Sequence, residues 1–253
     1  MRLIDSHCHL NRLHISAAEA IADARSRGVT GMMCIGVDEE TMPEVLRIAE
    51  SEDSVWASVG IHPLSVSEDN NREQLLTWLA HDKVVAIGET GLDYHYQKDA
   101  EQLATQRDSF SWHLRQSKVL QKPVVIHTRA AEEDTLALIN EFGCPSAGGI
   151  LHCFTERWEM AKAALDFGYH ISISGIVTFG SASELREVTR KIPLDRLLIE
   201  TDAPWLTPAP NRGKPNLPGY VRDVAEYIAE LRGISVEVLA EQTAENFNQL
   251  MKL

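Results

Sequence analysis

Eight times along the chain, a short apolar run, often β-branched, ends in polar residues and gives way to a segment of helical periodicity. The runs are Arg2–Ser6, Gly31–Val37, Val55–Gly60, Val84–Gly88, Pro123–Ile126, Gly149–Leu151, His170–Ser174 and Leu197–Glu200. They are nearly continuous in apolar residues, as strands of a parallel sheet must be when helices cover them. The intervening segments carry helix punctuation. Ser16 with Glu19 and Thr41 with Glu44 have capping-box spacing, Ser183 and Ser235 suit N-caps, and Gly28, Gly143 and Gly168 stand where a C-cap favours positive φ. Strand–helix alternation eight times over 253 residues predicts an α/β fold of the (β/α)8 TIM-barrel type, one domain spanning 1–253. An open doubly wound sheet would carry a glycine-rich phosphate fingerprint after an early strand, and neither GxGxxG nor GxxxxGK[ST] occurs.

Composition narrows the function. A hydrophobic content of 44% supports a large core, and 24 Lys and Arg against 37 Asp and Glu, a net charge of −13, excludes a broad basic face that coats nucleic acid. No apolar run approaches the roughly 20 residues of a membrane helix, and MRLIDSHCHL reads as neither a secretory signal nor a transit peptide. Cys8, Cys34, Cys144 and Cys153 form no CxxC pair and are expected as small core residues of a reduced, cytoplasmic protein. No membrane association and no obligate protein partner are expected.

A barrel enzyme builds its site from the C-terminal ends of its strands. There the sequence places His7 and His9, His62, Glu89, His127, His152 and Asp202, so five of the ten histidines fall on one rim. Residues two apart on a strand face the same way, which turns His7 and His9 together into the mouth. Packing would have to explain each of His7, His9, Glu89, His127, His152 and Asp202 separately, whereas metal binding explains all six. Four imidazoles and two carboxylates crowd a mononuclear site, so two divalent ions, Zn²⁺, Mg²⁺ or Mn²⁺, are expected. Glu89 would bridge them, with His7, His9 and Asp202 on one and His127 and His152 on the other. Such a pair activates a water and clamps the oxygens of a displacement at phosphorus, with Asp202 placed to orient the water or take its proton. Glu89 and Asp202 are therefore the catalytic candidates.

The blocks DSHCHL (Asp5–Leu10), VGIHP (Val59–Pro63), GETGLDYHY (Gly88–Tyr96), PVVIHTR (Pro123–Arg129), LHCFT (Leu151–Thr155), SGIVTF (Ser174–Phe179) and ETDAPWL (Glu200–Leu206) resemble, in content and order, those of the TatD family of metal-dependent hydrolases. The resemblance runs to about Asn246 and implies an amidohydrolase-related TIM barrel with deoxyribonuclease activity. Its ligand pattern falls on the same six residues, without departure. Many amidohydrolases bridge their metals with a carbamoylated lysine after the fourth strand; here Glu89 stands there, with no lysine in reach.

For substrate, Arg129 and His62 are candidates for phosphate, and Arg212 and Lys214 form a basic feature in the proline-rich segment 204–218, expected as a long loop. Tyr94, Tyr96 and Trp205 could stack unpaired bases. The expected reaction is hydrolysis of DNA phosphodiester bonds at single-stranded ends. The alternative is hydrolysis of a small amide, lactone or ester by the same centre, which the charge of −13 suits better than a polyanion. A structural metal site is disfavoured because such sites are closed by four ligands, often thiolates. His14, His81, His95, His113 and His170 lack placement at the rim, His95 alone lying near it.

Overall fold

A computed structural model describes residues Met1–Leu253. Eight parallel strands stand in the order of the sequence, β1 (Leu3–Cys8), β2 (Val29–Ile35), β3 (Val55–Val59), β4 (Val84–Asp93), β5 (Val124–Arg129), β6 (Gly149–Leu151), β7 (His170–Ile173) and β8 (Leu197–Ile199). The helices are α1 (Ala17–Ser26), α2 (Met42–Ser51), α3 (Arg72–Leu79), α4 (Ala100–Leu120), α5 (Glu132–Phe142), α6 (Trp158–Asp166), α7 (Ser183–Lys191), α8 (Val221–Arg232) and α9 (Val236–Met251). This is the expected TIM barrel.

Backbone pairing runs unbroken from β1 to β8. The seam between β8 and β1 is closed differently: Thr201 N–H donates to Asp5 Oδ1 (2.9 Å), Asp202 N–H to the His7 carbonyl (2.9 Å), His9 N–H to the Ala203 carbonyl (2.8 Å), and Ser6 Oγ to the Ile199 carbonyl (3.0 Å). The seam thus fixes His7, His9 and Asp202 relative to one another.

Alternation sorts the core into two layers. On β2, Met32 and Cys34 join the larger cluster between strands and helices, whereas Met33 and Ile35 join a smaller cluster with Ile4, Val85, Val125, Ile150 and Leu198. Phe247, Leu250 and Met251 of α9 complete that smaller cluster and seal the end of the barrel opposite the strand C-termini. No helix is long and apolar enough to cross a membrane.

The structure departs from the sequence reading in particulars. β4 continues past Gly88 to Asp93 and β5 past Ile126 to Arg129, because Thr90, Gly91, Leu92 and Asp93 pair with Ile126, His127, Thr128 and Arg129. Gly91 permits this: its φ is +136°, and a Cβ there would lie 1.9 Å from the His127 carbonyl oxygen. Ser16 and Glu19 form the expected capping box and Ser235 caps α9, but Thr41 makes no side-chain cap. Asp38 instead accepts from Thr41 N–H and Oγ1, and Pro43 stands in the first turn of the helix, second after the Thr41 cap. Ala182 stands at the α7 N-cap in place of Ser183, and Gly143, with φ −66°, ends α5 in extended backbone. Cys153 is the exception among the thiols: it lines the cavity described next rather than the core.

Candidate metal centre

The strand C-termini surround a cavity of about 620 Å³. Its floor is built around Glu89, which β4 carries inward. Glu89 Oε2 lies 3.4 Å from His7 Nε2, while Oε1 lies 2.9 Å from His152 Nε2, 3.3 Å from His127 Nδ1 and 3.4 Å from His62 Nε2. The two oxygens therefore face different sets of imidazoles. On the Oε2 side, His7 Nε2 and His9 Nε2 are 3.3 Å apart, and Asp202 Oδ1 is 3.6 and 3.4 Å from them. Nitrogens bound at about 2.1 Å to one tetrahedral ion lie about 3.4 Å apart, so these nitrogens already stand at ligand spacing. Among these side chains, His7–His9–Glu89, His7–His152–Asp202 and His62–Glu89–His127 each converge closely enough to hold one ion. The donors suit a divalent cation, and the structure brings together all six residues expected from the sequence.

Buried carboxylates orient the rings from behind. His127 points Nδ1 at Glu89 and Nε2 at Asp93 Oδ2, 3.1 Å away. His152 points Nε2 at Glu89 and Nδ1 at Glu200 Oε1, 3.3 Å away, and Glu200 Oε1 also accepts from Cys153 N–H at 2.8 Å. Carboxylates behind metal-bound imidazoles fix the tautomer and raise ligand basicity. Asp5, buried beneath His7, accepts from His7 N–H and from Thr201 N–H and Oγ1.

The electrostatics also fit a cation site. Burial pushes the Glu89 carboxyl up, but the imidazoles of His152, His62 and His127 outweigh it and hold Glu89 well below the usual carboxylate range. Asp93 is likewise held down to about 2, as His127 and the N–H groups of Tyr96 and His95 outweigh its burial. Burial holds His62 at about 4, against the pull of Glu89. His62 Nδ1 accepts from Leu64 N–H at 3.1 Å, so the neutral ring carries its proton on Nε2 and faces the cavity as a donor. That tautomer argues for a contact to substrate over metal ligation.

Of the substrate candidates, His62, Arg129, Tyr96 and Trp205 line the cavity. Tyr94, Arg212 and Lys214 do not. Tyr94 turns away to donate to Asp134 Oδ2 at 2.6 Å and accept from Arg107 at 3.0 Å. Arg212 stacks on the Phe179 ring, 3.8 Å from its centroid, and Lys214 is held through its backbone, its carbonyl accepting from Thr207 Oγ1 and its N–H donating to the Asn211 carbonyl. The cause is Asn216, whose buried side chain donates to the Thr201 carbonyl at 2.9 Å and to the Trp205 carbonyl. It anchors both ends of the loop at the seam and leaves the tip, 209–215, outside.

Arg12 and Asp93 also line the cavity, and sequence reasoning gave them no role. Asp93 was detectable: it lies four residues past Glu89, on the same face of a strand, once the strand is carried through Gly91. Arg12 sits in a short 3-10 turn (Leu10–Arg12) after β1, and no periodicity marks it. A second groove, of about 680 Å³, lies between α3 and α4 around the Arg72–Asp108 ion pair, and no metal-binding group converges there.

The chain is similar to known proteins along nearly its whole length. The profile of the family described as TatD related DNase matches residues 4–252. A metal-dependent hydrolase of Escherichia coli K12, YcfH, named as uncharacterized, is 45% identical over 261 residues, covering 100% of this chain and 97% of that protein. A 3'-5' ssDNA/RNA exonuclease TatD of Pantoea ananatis is 35% identical over 93% of both chains. The crystal structure of YJJV, a TatD homologue from Escherichia coli K12, superposes with a TM-score of 0.89 at 28% identity, over 99% of this chain and 98% of that one.

Proposed function

Because the chain belongs to the TatD family of metal-dependent hydrolases, we propose that it is a deoxyribonuclease hydrolysing phosphodiester bonds at single-stranded DNA ends, with two divalent ions held by His7, His9, Glu89, His127, His152 and Asp202. The observation that carries the reading is the division of Glu89, one oxygen toward His7 and the other toward His127 and His152. When bound, such a pair of ions supplies an acidified water and neutralises charge on the phosphate.

The chain's own groups do the rest. Asp202, its side chain 15% exposed to the cavity, is placed to accept the water's proton, and its approach is fixed by the N–H bond to the His7 carbonyl. Glu89, ionised and buried, keeps the two donor sets at constant separation. His62 Nε2–H donates to a phosphate oxygen without bringing charge of its own. Arg129, which makes no ion pair within the chain, offers its guanidinium to the phosphate backbone, and Trp205 offers a ring to a base. The exonuclease name of the Pantoea ananatis relative supports single strands as substrate.

The test is nucleotide release from end-labelled single-stranded DNA by metal-loaded protein, beside a panel of lactones, esters and acyl-amino compounds. Wild type should release nucleotides, and Asp202→Asn should lower kcat by about 10²–10⁴-fold. Absence of nucleotide release, with turnover of a carbonyl substrate that Asp202→Asn abolishes, would overturn the nuclease reading and keep the metal centre.

A further inference from the structure

The rim of the cavity repeats one arrangement on two opposite sides. In an eight-stranded barrel running β1 to β8 in order, the β8–β1 seam lies across the mouth from the β4–β5 pair. On the seam side, Trp205 follows β8 and Arg12 follows β1; on the far side, Tyr96 follows β4 and Arg129 ends β5. All four line the same cavity.

The two aromatic rings are among the few large apolar side chains left to solvent, Tyr96 at 64% and Trp205 at 48% exposure. Each is tied to the metal centre by a backbone bond. Trp205 N–H donates to the Asp202 carbonyl at 3.0 Å, and Trp205 meets the edge of His9 with centroids 5.1 Å apart. Tyr96 N–H donates to Asp93 Oδ1 at 2.9 Å, and Asp93 Oδ2 holds His127. Arg129 lies over Tyr96, 4.6 Å from its centroid, and has no carboxylate partner, whereas Arg12 is paired with Asp38 at 2.7 Å.

We infer that the mouth is a pair of nucleotide half-sites straddling the scissile phosphate: Trp205 with Arg12 on one side, Tyr96 with Arg129 on the other. Each ring takes one unpaired base and each arginine one flanking phosphate. The ligand is then a dinucleotide unit of single-stranded DNA, since two bases can stack on separate walls only when both are unpaired. Because Asp38 already engages Arg12, the Arg129 side is expected to hold its phosphate more tightly. The inference rests on the nuclease reading and specifies its substrate.

A thymidine dinucleotide bearing 5′- and 3′-phosphates tests it, beside two analogues lacking one base or the other. With metal-loaded wild type, each abasic analogue should lose about tenfold in kcat/KM. In Trp205→Ala one of those two penalties should vanish, and in Tyr96→Ala the other; Trp205→Phe should restore the first. Binding supplies a second readout: stopped-flow quenching of tryptophan emission by the dinucleotide, present in wild type and lost in Trp205→Phe. Penalties below twofold in wild type, or penalties that persist undiminished in both alanine variants, would overturn the half-sites while leaving nuclease activity intact. Failure to cleave the dinucleotide and longer single strands alike would instead overturn the nuclease reading.

Discussion

Glu89 concentrates the chemistry of the centre in one side chain. A glutamine there keeps the shape but removes the charge that holds four imidazoles around two oxygens. Glu89→Gln should therefore retain fewer than half the ions of wild type by elemental analysis and lose at least about 10³-fold in kcat, with the barrel still folded by circular dichroism. Asp93→Asn is a subtler change: the amide can no longer hold the His127 proton as an anion, and metal affinity should fall about 10–100-fold while Glu89 and His7 stay in place. The convergence of the six proposed ligands was legible in the sequence because each stands at or just past the end of an apolar run, where a barrel displays its residues. The spacing of Asp93 to Glu89 marks its place at the cavity but not its role, and the same holds for Glu200 beside Asp202: a carboxylate behind an imidazole is distinguished by a contact between strands, Asp93 with His127 and Glu200 with His152, that no single segment records.

At the scale of elements, the alternation of runs and helices was enough to count the strands and order them, while the strand ends were set by pairing. β4 shows the difference. Its own residues suggested a stop at Gly88, yet β5 pairs with it as far as Asp93, and Gly91 supplies the close approach the ladder needs. Gly91→Ala should cost about 2–4 kcal/mol by urea unfolding, since a positive-φ position and a 1.9 Å clash with the His127 carbonyl are penalised together. It should also weaken metal binding, because the displaced backbone is that of His127, a proposed ligand. Phe247→Ala, at the sealed end, should cost about 3–5 kcal/mol while leaving metal affinity unchanged. The contrast separates the end of the barrel that is spent on stability from the end that carries the centre. Arg212 and Lys214 fell in the right loop but outside the cavity, because the fold of 204–218 is decided by the buried Asn216 anchor and not by the basic residues themselves.

For the whole molecule, two titrations follow. His113 is buried with both nitrogens engaged, Nδ1 donating to the Ser109 carbonyl and Nε2 accepting from Ile61 N–H, and burial holds it at about 4. Its folded pKa lies below the unfolded value of about 6.5, so the unfolded chain takes up the proton first. The stability it confers is complete above about pH 6.5 and is lost as pH falls toward 4, a change on the order of 3 kcal/mol. His113→Gln should flatten the slope of unfolding free energy between pH 6.5 and 4 by up to one proton.

The second titration is with salt. A charge of −13 sets the bulk field against a polyanion, so attraction must come from the mouth, where the strand ends gather the proposed metal ligands and two arginines. If Arg12 and Arg129 are the only cationic side chains that meet phosphates, log K for single-stranded DNA against log salt should have a slope near −1.4, from about 0.7 per phosphate neutralised. Screening of the repulsive bulk charge makes it shallower still. Arg129→Gln should bring the slope toward about −0.7, with a smaller change for Arg12→Gln because Asp38 already neutralises that guanidinium. Anisotropy titrations of a labelled oligonucleotide over a series of sodium chloride concentrations measure this directly. A slope steeper than about −4 would require a basic face that the surface does not possess, and with it a mode of binding that extends well beyond the mouth.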